Sequence, residues 1–333
     1  MIYKTGHLGE KLEFPAMWKK FFAIFGSVVF LTFIIACSDT KTAKETATAE
    51  TAGVETDAPA NTAVAESETP AADASTGSAT FAQVEGTKTI TLSNGASVTW
   101  IQDNVGNKLN PRSLFSDASD SLYNSLNMPD GIPASVSTFL VKVDGKYILF
   151  DAGLGAFGGQ LMNRLAALGV NPDSIGLIYL THFHADHIAG LVAKDEAGND
   201  TKVFKNAAVY AGKVEYDAWM NDIPKNDLQK NIMALYKDGL HLFAFGDTLP
   251  HGVLAIDAIG HTPGHTAFQL ANLIIVGDLM HGYALQKDHP EINSNSDMDK
   301  SKSAESRKRI MQYASDNKLL MAGMHLPPPG FAE

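Results

Sequence analysis

The sequence predicts an α/β domain built of two β-sheets with helices on their outer faces. Three observations carry this reading. Hairpin signals open the domain, strands alternate with helices after residue 150, and metal-binding side chains gather at the ends of apolar strands.

The elements follow in order. Thr87–Leu92 and Ala96–Ile101 alternate in polarity around Ser93-Asn94-Gly95, and Asn-Gly suits a hairpin turn with positive φ. Residues 103–131 are polar without clear period and read as loop and short helix. Thr138–Val143 and Lys146–Phe150 flank Asp144-Gly145 as a second hairpin, ending in Asp151-Ala152-Gly153. Gly159–Leu168 has helical period and stops at Gly169, and Ile175–Leu180 is a buried strand that runs into Thr181-His182. Strands are then expected at Ala208–Ala211, Gly252–Ala258, Ala267–Leu270 and Leu273–Val276, with helices at Lys213–Met220 and Asp227–Tyr236. A last helix, Ser303–Asn317, leads into the strand Leu319–Gly323 and then His325.

Composition excludes several chemistries. Of 333 residues, 45% are hydrophobic and 19% charged, which fits neither a wholly disordered chain nor a polytopic membrane protein. The net charge is −11, opposite to what a general nucleic-acid binder needs. Cys37 is the one cysteine, so an internal disulfide, a cysteine zinc cluster, an Fe–S centre and a cysteine nucleophile in the folded part are all excluded. Eleven histidines remain.

The first eighty residues read as address and tether. Trp18-Lys19-Lys20 precedes sixteen uncharged residues, Phe21 to Ala36, the pattern of a secretory signal. The run ends in Ile34-Ile35-Ala36-Cys37, which resembles a bacterial lipobox and implies cleavage before Cys37 and its lipidation. An uncleaved anchor helix is the alternative. Met17 reads as a more natural start than Met1. Ser38, rather than Asp, after the cysteine implies outer-membrane sorting in a Gram-negative cell. Residues 38–80 are rich in Ala, Thr and Glu and contain no aromatic residue. They cannot bury enough apolar surface to offset their ordering entropy, and read as a disordered acidic tether. Residues 81–333 are the size of one large α/β domain, and their 20 Lys and Arg against 27 Asp and Glu leave a net charge of −7.

The string Thr181-His182-Phe183-His184-Ala185-Asp186-His187 is the decisive motif. In an extended segment alternate side chains share a face, so His182 and His184 can reach one ion. Asp186 and His187 open a helix and can face a second. Imidazole and carboxylate are ligands that zinc accepts, with iron, manganese and cobalt as competitors. Gly260-His261-Thr262-Pro263-Gly264-His265, Val276-Gly277-Asp278 and Ala322-Gly323-Met324-His325 each place a further donor in a turn or at a strand end.

On these motifs the chain resembles the metallo-β-lactamase superfamily over nearly all of residues 87–326. The resemblance implies an αβ/βα sandwich with a two-metal site at one edge. It implies His182, His184 and His265 on one ion, Asp186, His187 and His325 on the other, and Asp278 bridging both. His261 then reads as orienting the loop that carries His265, His281 as lining the pocket, and Asp151 as bracing the site by hydrogen bonding. His241, His251 and His289 read as surface or turn residues, and His7 lies outside the mature chain.

Such a site implies a dinuclear-metal-dependent hydrolase whose ions share a hydroxide and polarise the bond under attack. Asp186 is expected to pass on a proton and Asp278 to hold the ions together. TFLVKVDGKYILFDAGLG (138–155), LTHFHADHIAGL (180–191), VEYDAW (214–219), GDLMHGYALQKDHP (277–290) and AGMHLPPPG (322–330) resemble the branch of methyl parathion hydrolase and N-acyl-homoserine lactone lactonases. That branch usually has an aromatic where this chain has Pro328, and it continues with another strand where this chain stops at Glu333, as a truncated frame would. The resemblance implies a small-molecule ester or lactone substrate, with a phosphotriester as alternative and no nucleic acid as partner. Phe183, Phe268, Met280, Met324 and Leu326 are expected to wall the pocket. Two readings compete: a metal-binding lipoprotein, and a mononuclear-iron redox enzyme of the same fold. Either way the protein is expected in the cell envelope, lipid-anchored and outside the cytoplasm.

Overall fold

The computed structural model describes residues 84–332. The expected signal, Cys37 and the expected tether lie outside the described residues. Among the described residues no helix is long and apolar enough to cross a membrane.

In chain order, β1 (Thr87–Thr91) and β2 (Ser97–Gln102) form the first hairpin and β3 (Lys108–Asn110) follows. Helix α1 (Asp120–Ser125) and β4 (Ile132–Ala134) lead to the second hairpin, β5 (Ser137–Val143) and β6 (Lys146–Phe150). Next come α2 (Leu161–Ala167), β7 (Ile175–Leu180), α3 (Ala185–Ile188), β8 (Val192–Lys194), β9 (Asp200–Lys202) and β10 (Ala208–Gly212). Helices α4 (Lys213–Asp217) and α5 (Asp227–Leu235) precede β11 (Leu240–Phe243). The second half holds β12 (Thr248–Leu249), β13 (Val253–Asp257), β14 (Thr266–Leu270), β15 (Leu273–Ile275), α6 (Tyr283–Gln286), α7 (Lys300–Asp316), β16 (Leu320–Ala322) and β17 (Phe331–Ala332).

Seven strands pair in the order β1-β2-β5-β6-β7-β10-β11, and six in the order β12-β13-β14-β15-β16-β17. Strand periodicity decides which side chains meet. In β5 and β6, Phe139, Val141, Ile148 and Phe150 face the second sheet, where Phe268, Leu273 and Ile275 meet them. Their neighbours Leu140 and Leu149 face outward against Leu161 and Leu165 of α2, in a layer that also includes Ile232 and Met233 of α5. The outer face of the second sheet, Ile274 and Met321, packs on Ile310 and Ala314 of α7. The result is the α/β sandwich of two sheets with helices outside. Phe268 lies 5.6 Å from both the Phe150 and Tyr179 rings, so truncating it to alanine costs about 3–5 kcal/mol.

Pairing direction gathers the strand ends. β6 and β7 are parallel, so Asp151 and His182 emerge side by side. β15 and β16 are parallel too, so Asp278 and His325 emerge at the matching edge of the second sheet. β14 runs antiparallel to β15, which brings the turn preceding β14 to that same edge.

Several boundaries differ from the sequence reading. The helix expected to run to Met220 is α-helical only to Asp217 and continues as a π-helical turn, Ala218–Asp222. The polar stretch 103–131 contains β3, which pairs with β4. These strands are too short to show a period. A two-residue strand, β17, follows His325 and pairs with β16. Phe183, Phe268, Met280, Met324 and Leu326 do not wall a pocket. All five are at most 1% exposed and belong to the packed cores, because strand-end apolar residues turn inward between the layers.

Candidate metal centre

The His-x-His-x-Asp-His string leaves β7 extended and turns into α3 at His184, whose backbone is still extended (φ −65°, ψ 153°). That change of period sends His182 and His184 to one side and Asp186 and His187 to the other. His182 Nε2 lies 3.0 Å from His184 Nδ1, and His184 Nδ1 lies 2.8 Å from His261 Nε2. Asp278 Oδ2 approaches His261 Nε2 at 3.3 Å and His182 Nε2 at 3.7 Å. On the other side, Asp186 Oδ2 lies 3.4 Å from His325 Nε2, and Asp186 Oδ1 lies 3.8 Å from His187 Nε2. Asp278 reaches this group as well, 3.1 Å from His187 Nε2 through Oδ1 and 3.0 Å from His325 Nε2 through Oδ2.

The donor set fits divalent ions. Ligand atoms on a tetrahedral zinc, at about 2.0–2.1 Å from it, lie about 3.3 Å from one another, close to the spacings here. His182, His184, His261 and Asp278 converge as one group, and Asp186, His187 and His325 as another. His187 Nε2 and Asp278 Oδ1 are buried and have no hydrogen-bond partner, as atoms reserved for a cation would be. Burial holds His182 neutral and pushes His184 down to about 3, the uncharged form that coordinates metal. Burial opposes the charge on Asp278, but the imidazoles of His187, His325, His182 and His281 hold its carboxyl well below the usual range.

One expected role changes. His261, not His265, stands among the convergent donors. His265 donates from Nδ1 to the Ala258 carbonyl at 2.9 Å and accepts the Asp278 backbone N–H at Nε2 at 3.0 Å. Both its nitrogens are engaged with backbone, so neither is free for an ion. Gly277, at φ +54°, has no room for a β-carbon because His265 Nε2 fills the space, which makes the close approach possible. His261 is the residue whose ring is oriented: its Nδ1 faces Asp297 Oδ1 at 3.0 Å. Burial lowers the His261 pKa, but hydrogen bonds to Asp278 and Asp297 outweigh it and carry it up to about 9.

The supporting residues are specific. Asp151 accepts from Thr181 N at 2.8 Å, Thr181 Oγ1 at 2.7 Å and His187 Nδ1 at 2.7 Å, which fixes the His187 ring. His325 donates from Nδ1 to the Ser135 carbonyl at 2.8 Å. His281 is buried beside Asp278, with Nε2 at 3.2 Å from Oδ2, and stacks on His325. His241, His251 and His289 stay outside the cluster, against Tyr210, Asp144 and Glu291 respectively.

Sequence reasoning missed three participants. Asp297 sits in a polar loop with no periodic signal. It is tied to the buried Arg307 of α7 and to Ser294 N. Glu215 was visible only as part of a family motif. Lys108 of β3 hydrogen-bonds Asn110, which donates to the His281 carbonyl at 2.6 Å. Partial burial lowers the Lys108 pKa against the pull of Asp186 and Asp278.

A profile of the metallo-beta-lactamase superfamily matches residues 131–325, more than half of the chain. The chain belongs to the metallo-β-lactamase superfamily. Among solved structures, this superfamily member is similar to AidC, a dizinc quorum-quenching lactonase in complex with a product, at 27% identity and a TM-score of 0.66 over 74% of this chain and 92% of that one. It is also similar to the hydrolase AbOPH, at 26% identity and a TM-score of 0.63 over 76% and 94%. Among curated proteins, it is 27% identical over 154 residues to a hydroxyacylglutathione hydrolase of Aeromonas salmonicida, covering 45% of this chain and 49% of that protein. It is 39% identical over 59 residues to a ribonuclease Z of Pyrococcus abyssi, covering 18% of each. The chain thus spans less than half the length of these curated relatives. Fold and donor chemistry together give this superfamily member a candidate metal centre.

Proposed function

We propose that the chain hydrolyses ester bonds of small molecules, with acyl lactones ahead of phosphotriesters, using two divalent ions, zinc foremost. The observation that carries this reading is Asp278, whose single carboxylate reaches both donor groups: Oδ1 lies 3.1 Å from His187 Nε2, and Oδ2 lies 3.0 Å from His325 Nε2 and 3.3 Å from His261 Nε2. His182, His184 and His261 would hold one ion, and Asp186, His187 and His325 the other, with Asp278 shared. Two such ions supply Lewis acidity and a water acidic enough to ionise near neutral pH. The chain's own residues do the rest. The Asp186 side chain is about one-third exposed and would pass on a proton rather than keep it, because burial is outweighed by His187 and His325, which hold its carboxyl well below the usual range. Asp151 keeps His187 in one tautomer through its Nδ1.

Substrate class rests on the surroundings. The turn Gly155–Phe157 packs on α3, the helix that carries Asp186 and His187, and Phe157 is 66% exposed as apolar surface. The net charge of −7 on residues 81–333 disfavours polyanions such as RNA. Similarity to a lactonase at 27% identity supports the ordering of substrates. The test is a hydrolysis screen of zinc-loaded protein on an N-acyl-homoserine lactone, an aryl ester, a phosphotriester and an RNA. The lactone should show the highest kcat/KM. A phosphotriester faster by tenfold, about 1.4 kcal/mol of transition-state binding, would reverse the order.

The N-terminal reading completes the proposal. Residues 1–37 would be a lipoprotein signal, with Cys37 lipidated, and 38–80 a tether holding the enzyme off the cell envelope. Cys37→Ser should abolish incorporation of labelled fatty acid, and incorporation equal to wild type would refute the anchor.

A further inference from the structure

Glu215 of α4 lies outside both donor groups, yet it joins the two loops that carry one of them. Its side chain is 1% exposed and accepts four hydrogen bonds. Oε1 accepts from the Phe183 backbone N–H at 2.9 Å and from the Trp219 indole N–H at 2.6 Å. Oε2 accepts from the Thr262 hydroxyl and the Gly264 backbone N–H, both at 2.8 Å. Phe183 sits between His182 and His184, and Thr262 follows His261. A single carboxylate therefore fastens the backbone on both sides of the contact between His184 and His261. The fit is close on all sides. Gly264 lies so near the Glu215 backbone that a β-carbon there has no room. Trp219, held by Glu215, packs edge-on against the His184 ring at 5.8 Å. Trp219 lies in the π-helical turn, and its spacing of four residues sets its indole on the same side as Glu215.

We infer that Glu215 is the positioning residue that sets the spacing of His182, His184 and His261 and so determines the affinity of one of the two ions. The inference rests on the reading that these histidines hold an ion. Only a carboxylate can do this at the site. Each of its oxygens faces one backbone N–H and one side-chain donor. Glutamine offers one acceptor oxygen and an amide that donates, so in either orientation a backbone N–H, that of Phe183 or of Gly264, is left facing another donor. The loop it belongs to must then shift, and supporting partners of this kind alter metal affinity by about 10–100-fold when changed.

The test is chelator competition with Co²⁺ on the full chain, reading each ion's affinity together with the visible absorption of the cobalt-loaded protein. Glu215→Gln should weaken one ion at least tenfold and change its absorption band, while the other ion stays within twofold of wild type. Thr262→Val, which removes one of the four donors at little change of shape, should weaken the same ion to a smaller extent, and it carries the test if Glu215→Gln fails to fold. Two ions bound with wild-type affinity in a folded Glu215→Gln protein, or in Thr262→Val where that variant alone folds, overturn the inference alone. A wild-type chain that binds no Co²⁺ overturns the metal-centre reading and the inference together.

Discussion

The Nε2 of His265 accepts the backbone N–H of Asp278 at 3.0 Å, so a histidine with the look of a ligand instead holds the one carboxylate shared by both donor groups. His265→Ala should therefore leave two ions bound but weaken them, through a displaced Asp278. His261→Ala should remove one ion outright. Metal analysis after dialysis separates the two, and loss of a whole ion in His265→Ala with none lost in His261→Ala would restore the opposite assignment.

Asp278→Ala removes a ligand from both groups at once. Hydrolysis should fall by a factor of about 10³ or more, the scale of losing a principal electrostatic stabiliser. Near-full kcat/KM in this variant would show that Asp278 does not join the two groups.

Chelation tests the centre without mutation. Prolonged treatment with a strong chelator should abolish hydrolysis, and zinc should restore it. Stability should fall as well, since an ion at a hundred times its Kd stabilises the folded state by about 2.7 kcal/mol. An unchanged melting temperature after complete removal would mean that the donors do not bind ions tightly.

Arg307 and Asp297 form a fully buried pair, 3.3 Å apart, that links α7 to the ring of His261. Arg307 also donates to the carbonyls of Leu279, Pro290 and Ile292 and so ties down the loop after Asp278. Arg307→Met should cost about 3–5 kcal/mol in urea denaturation, because it leaves Asp297 buried with only the His261 ring in contact as a countercharge. Adding Asp297→Asn to that variant should recover part of the loss, and a double variant less stable than Arg307→Met would show that the ion pair is not the cause.

Local patterns in the chain were enough for most strands of the two sheets, most of the helices and a run of candidate donors, but not for the short edge strands β11, β12 and β17. Alternating polarity around Asn94-Gly95 and Asp144-Gly145 specifies hairpins, because a strand's two faces meet different solvents. Four donors in six residues after an apolar strand specify a metal-binding run, because their spacing alone puts them on opposite sides of one turn. Only the tertiary structure decided which histidine of Gly-His-Thr-Pro-Gly-His faces the centre. Both are reachable along the chain, and the choice depends on Gly277 admitting His265 against Asp278 while Asp297 turns His261 inward. Glu215, Asp297 and Arg307 were hidden for the same reason: each acts across 10 to 49 residues of sequence, through hydrogen bonds that no local period encodes. The apolar residues beside the ligands show the converse. Sequence adjacency suggested a pocket wall at Phe268 and Met324, and the packing of one sheet on the other buried both in the core.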